Sequence, residues 1–85
     1  METRVAVISI IVSDSKAVDL INSLLHEYRD FIIGRMGLPY KEKNINIISL
    51  AVDASMDTIS TLAGKLGRLD GVGVKTAIAS LGKDE

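Results

Sequence analysis

Two stretches of this chain resemble each other at an offset of 40, and that repeat constrains the fold more than any other feature. Val7-Ile8-Ser9-Ile10-Ile11-Val12 matches Ile47-Ile48-Ser49-Leu50-Ala51-Val52. Both are short apolar runs rich in β-branched side chains, the pattern of a buried strand. Each passes into a polar turn, Ser13-Asp14-Ser15 or Asp53-Ala54-Ser55, of the composition that caps a helix N-terminus. Helical spacing follows both turns. Val18, Ile21, Leu25 and Tyr28, widened by Ala17 and Leu24, form one apolar stripe, and Ile59, Leu62, Leu66 and Leu69 form the other. Each helix therefore has one face to bury.

A further strand follows each helix. Residues 30–38 lead through Pro39-Tyr40 to the polar tip Lys41-Glu42-Lys43-Asn44. Residues 72–79 follow Asp70-Gly71, a strong turn signal. Pro39 lacks a ladder donor, which suits an edge strand or its end. The order predicts an α+β, ferredoxin-like βαββαβ sandwich: a four-stranded antiparallel sheet with two helices on one face. Eighty-five residues allow one domain, 1–85, with residues 83–85 expected as a flexible tail.

Two helices cover one sheet face only, yet 47% of the chain is hydrophobic and 4% aromatic. There is no cysteine, hence no disulfide to support so small a core. Alternation assigns Ile8, Ile10, Val12, Ile48, Leu50 and Val52 to the helices. The other face receives Val7, Ser9, Ile11, Ile47, Ser49 and Ala51, with Gly73, Lys75 and Ala77 from the last strand. If strand two alternates unbroken, it adds Phe31, Ile33 and Arg35. An apolar face of this kind marks an interface. The expectation is a homo-oligomer, dimer or tetramer, that buries Val7, Ser9, Ile11, Phe31, Ile33, Ile47, Ser49 and Lys75 or extends the sheet at its edges. The competing reading is a monomer with a wet, mildly apolar face.

Composition excludes more than it proposes. Ten Lys+Arg against eleven Asp+Glu give a net charge of −1, which argues against direct nucleic-acid binding. No apolar run is long enough to span a bilayer and no signal peptide is recognisable, so a cytoplasmic location is expected. His26 is the only histidine, and with no cysteine it makes no metal centre. Asp14, Asp53 and Asp57 sit where caps belong, and Ser13 and Ser15 have no partnering base. Neither a catalytic constellation nor a cofactor is expected, and the chain reads as a non-enzyme.

Gly64-Lys65-Leu66-Gly67 has the G-x-x-G form that clamps nucleic acid in KH domains, but a leucine stripe runs through it. Helix glycines cost about 1 kcal/mol each relative to alanine, so close packing against the sheet or a neighbouring subunit is expected there. Gly71-Val72-Gly73 lacks the spacing and context of a dinucleotide fingerprint. One polar set is a candidate ligand site. Ser13, Asp14 and Ser15 open a helix, whose free N–H groups attract anions. Arg35, with Gly34 and Gly37 beside it, supplies a charge where a ligand or backbone can approach closely. The alternative for Arg35 is an intersubunit salt bridge.

These residues also carry a resemblance. Asp57-Thr58-Ile59, Leu62, Gly64-Lys65-Leu66-Gly67, Gly71-Val72 and Val74-Lys75-Thr76 resemble the iron-only hydrogenase system regulators. So do Arg35-x-Gly37-x-Pro39 with Glu42, and Leu24-Leu25-His26; the likeness covers residues 4–77. It implies an ACT-like domain, related to the C-terminal domain of the nickel-responsive repressor. It also implies a regulatory role, by sensing a small ligand or binding a regulatory protein partner. ACT domains that bind amino acids carry a glycine in the first strand–helix turn, where this chain has Ser13-Asp14-Ser15-Lys16. Nickel sensing needs several histidines and a cysteine. Neither ligand is therefore implied. The chain begins directly with strand one, so an effect on transcription is expected to run through a partner. A ligand-free interaction scaffold, and more distantly a small dimeric α+β barrel enzyme, are the alternatives.

Overall fold

A computed structural model of the chain describes residues 2–79, so the expected tail at 83–85 lies outside the described residues. The elements are β1 (Arg4–Val12), α1 (Ala17–Glu27), β2 (Ile32–Tyr40), β3 (Ile45–Ala54), α2 (Met56–Gly67) and β4 (Val72–Ile78). Short 3₁₀ turns at Arg29–Phe31 and Lys41–Lys43 flank β2. The sheet order is β2-β3-β1-β4 with every neighbouring pair antiparallel. This is the ferredoxin-like sandwich, and the repeated strands β1 and β3 form its centre.

Alternation along the central strands sorts the core as the sequence requires. Ile8, Ile10 and Val12 of β1 and Ile48, Leu50 and Val52 of β3 are buried under the helices. Ile21 and Leu25 of α1 meet them, as do Ile59, Leu62 and Leu66 of α2. Each such side chain contributes about 1.5–3 kcal/mol relative to exposure. No polar side chain is buried among the described residues, so the core is held by apolar contact alone.

The helices start differently. The Ser55 hydroxyl accepts a hydrogen bond from the Thr58 N–H at 3.2 Å and caps α2. The first helix has no side-chain cap; Asp14 instead closes the turn before it, its Oδ1 accepting from Lys16 N–H at 3.0 Å. Asp53 is not a cap, because β3 continues through Ala54 and leaves it exposed opposite Val5. Asp57 stands in the first turn of α2, where the helix dipole favours an acid.

The second strand departs from the sequence reading twice. It starts at Ile32 rather than Asp30, because Phe31 N–H bonds back to the Tyr28 carbonyl at 3.0 Å and prolongs the helical turn. It then carries a bulge: Ile32 faces Val52 while Gly34 faces Ala51, so one extra residue enters β2. Pro39 lies in β2, an edge strand, which is where a residue without an N–H donor is tolerated in a sheet.

Candidate functional site

Directly paired residues share a face, so the register draws the open face row by row. The first row, from β2 to β4, is Gly34, Ala51, Val7 and Ala77. The second is Met36, Ser49, Ser9 and Lys75, and the third is Leu38, Ile47, Ile11 and Gly73. Met36, Leu38 and Ile11 are more than half exposed, at 59%, 53% and 51%. Lys75 is the only charged residue in these rows. The surface is flat, apolar and almost uncharged.

The bulge rewrites the contribution of β2 to this face. Beyond it, Arg35 pairs with the buried Leu50 and stands on the helix side, where Nη2 donates to Asn22 Oδ1 of α1 at 3.3 Å. Met36 and Leu38 take the open face instead, and periodicity missed them because one inserted residue reverses every later assignment. Phe31 also leaves the sheet. Its ring lies 6.3 Å from that of Tyr28, beside Asp57, Thr58 and Thr61 at the start of α2. Ile33 is the residue at the bulge and is 63% exposed.

The expected ligand set is not brought together within one chain. Ser13, Asp14 and Ser15 lie past the end of β1, against the start of β4. Ser13 N–H donates to the Gly71 carbonyl at 2.7 Å and Ser13 Oγ at 3.2 Å. Ala17 N–H bonds to the Asp14 carbonyl and Val18 N–H to the Ser15 carbonyl, so the N–H groups opening α1 already have partners. Arg35 and Gly37 sit two strands away on β2, in register with Ile8 and Ile10 rather than with the end of β1. No described cleft is lined by both groups.

The glycines and the histidine have plain surroundings. Gly64 and Gly67 lie inside α2, so they form no clamp loop. A Cβ at Gly64 would meet only the flexible Arg68 side chain, and one at Gly67 would meet nothing within 4 Å. The close packing expected there is absent among the described residues. His26 is exposed on α1, with Arg29 Nη1 3.3 Å from its Nε2. Among the described residues no group of three potential metal ligands comes together, and no helix is long and apolar enough to cross a membrane. Lys65 reaches from α2 toward α1, 5.2 Å from the Tyr28 ring centre and 3.9 Å from Glu27. Exposed ties of this sort contribute little to stability.

Fold and surface together define a ferredoxin-like α+β module whose most prominent surface is an uncovered sheet face. The comparisons supply the family. A family model described as "Iron-only hydrogenase system regulator, putative", TM1266-like, matches residues 4–76, and the chain belongs to that family. Its description is that of a regulator. The solved structure of the uncharacterized protein TM1266 from Thermotoga maritima is 40% identical, covering 93% of this chain and 100% of that one with a TM-score of 0.90. No curated protein matches the chain.

Proposed function

We propose that the chain is a cytoplasmic, non-enzymatic regulatory module of the iron-only hydrogenase system that assembles through its open sheet face. In that assembly it senses a small ligand or engages a protein partner. The family supports the regulatory role. The observation that carries the assembly is the largely apolar face across all four strands, on which Val7 and Ile11 of β1 and Met36 and Leu38 of β2 are exposed and Lys75 is the one charge.

The occupant that fits this face best is a second copy. A two-fold axis running along the strands between β1 and β3 sets β2 of one copy over β4 of the other. Leu38 then lies over Gly73, where a Cβ would meet nothing within 4 Å, and Met36 over the aliphatic stem of Lys75. Ser9 faces Ser49. Leu38 over Gly73 is a large side chain on a bare backbone, and Gly34 over Ala77 leaves the opposite end of the face shallow, so two sheets can stack at about 10 Å. Four strands about 4.8 Å apart and roughly 24 Å long give each face roughly 450 Å² before side-chain relief. Two faces approach the lower bound of about 1,000 Å² for a specific interface.

Sedimentation velocity at low micromolar concentration tests this reading. A dimer or tetramer is expected, reduced to monomer by Ile11→Glu with the circular dichroism of the folded chain retained. A monomeric wild-type chain would falsify the assembly.

A further inference from the structure

The unpaired arginines of the helix side form a cleft of their own. Asn22, His26 and Arg29, from α1 and the turn after it, and Arg35, from β2, surround about 370 Å³ floored by Leu25 and Ile32. No carboxylate among the described residues lines it. Among the described residues the one ion pair is Lys65–Glu27, so neither arginine is neutralised by a salt bridge. In a chain of net charge −1, that local excess of positive charge has no counter-ion among the described residues.

The donors are also arranged by their neighbours. Arg35 Nη2 donates to Asn22 Oδ1 at 3.3 Å. Arginine only donates, so this contact fixes the amide and leaves the Asn22 NH₂ free to donate elsewhere. Arg29 Nη1 donates to the His26 carbonyl at 2.9 Å, which holds the guanidinium at the cleft. It also covers a carbonyl at the negative end of α1, the feature that most opposes an anion there. Arg29 Nη1 is also 3.3 Å from His26 Nε2, so it is Arg29 Nε and Nη2 and Arg35 Nε and Nη1 that have no partner among the described residues, and such planar forks match the paired oxygens of phosphate or carboxylate.

We propose that this cleft is an oxyanion-binding site, in which Arg29 and Arg35 hold the phosphate or carboxylate group of a small metabolite and the Asn22 amide adds a further donor. Its use in sensing rests on the regulatory reading above. Its existence does not, since each copy carries the whole cleft.

Amide and side-chain NMR titrations with inorganic phosphate and with acetate, at ionic strength matched with chloride, test the site. Saturable shifts centred on Asn22, His26, Arg29 and Arg35 are expected. Arg29→Met or Arg35→Met should each weaken binding about tenfold or more, while Lys43→Met leaves it unchanged. Saturation by phosphate alone assigns the site to phosphate groups, and saturation by both assigns it to oxyanions at large. Shifts that never saturate, or that Lys43→Met removes as effectively as the arginine variants, overturn the proposal. Sedimentation reads the assembly separately, so either idea can fail without the other.

Discussion

Gly71 and Asp14 occupy one corner so tightly that a Cβ on the glycine would lie 2.5 Å from the Asp14 Cβ. Gly71 also has φ +75°, a conformation that side chains rarely adopt. Through Ser13, the same corner ties the end of β1 to the start of β4.

Gly71→Ala is therefore expected to destabilise the chain by about 2–4 kcal/mol, combining left-handed strain with overpacking against backbone. Urea unfolding measures it. Gly67→Ala is the matched control, because its new methyl meets nothing within 4 Å and replaces the glycine that ends α2. That variant should be stabilised by up to about 1 kcal/mol.

Ile10 and Ile11 are adjacent in sequence but lie on opposite faces, 0% and 51% exposed. Under dilution that keeps the chain monomeric, Ile10→Ala should cost about 2–5 kcal/mol through the cavity it leaves. Ile11→Ala should cost less than about 0.5 kcal/mol under the same conditions. Its effect should appear instead as weaker association, read by sedimentation. Equal destabilisation by the two would contradict the one-sided core.

The two-fold arrangement proposed above makes a covalent prediction. The chain contains no cysteine, so Ser9→Cys and Ser49→Cys can each introduce a single thiol. Mixed and treated with a short bis-maleimide, which spans the sheet spacing of about 10 Å that a disulfide does not, the two variants should yield the cross-link that joins position 9 of one copy to position 49 of the other, in preference to either like-with-like cross-link. Mass spectrometry of the cross-linked peptides decides, and a statistical mixture would argue against this axis.

Tyr40 donates its hydroxyl to Glu42 Oε1 at 2.7 Å. That bond, with a smaller effect of desolvation, raises the phenol pKa above its ordinary value of 10.0. A raised folded-state pKa means that the protonated phenol carries the interaction. Its contribution is complete below the unfolded pKa and is lost as pH rises through the higher folded value. In a Tyr28→Phe background, ultraviolet titration should place the Tyr40 midpoint above 10.0, and Glu42→Gln should lower it.

Much of the fold was legible because β1 and β3 are long, central and strictly alternating. Ile8, Ile10, Leu50 and Val52 could only face the helices once two amphipathic stripes were recognised. The candidate site was legible in part. Val7, Ser9, Ile11, Ile47 and Ser49 lie on the open face as expected, whereas Phe31 and Arg35 do not. The polar turn at Ser13-Asp14-Ser15 has the composition of an anion site, but its serines and aspartate are engaged in joining β1 to α1 and β4.

The sequence by itself determined the element order, the buried face of each central strand and the surplus of aliphatic surface. Those properties depend on local periodicity, which a helix or strand imposes residue by residue. Only the tertiary structure decided which side of the sheet β2 presents. A bulge of one residue depends on pairing with β3, and no local pattern marks it. That single inserted residue places Met36 and Leu38 on the open face and turns Arg35 toward Asn22, Arg29 and His26.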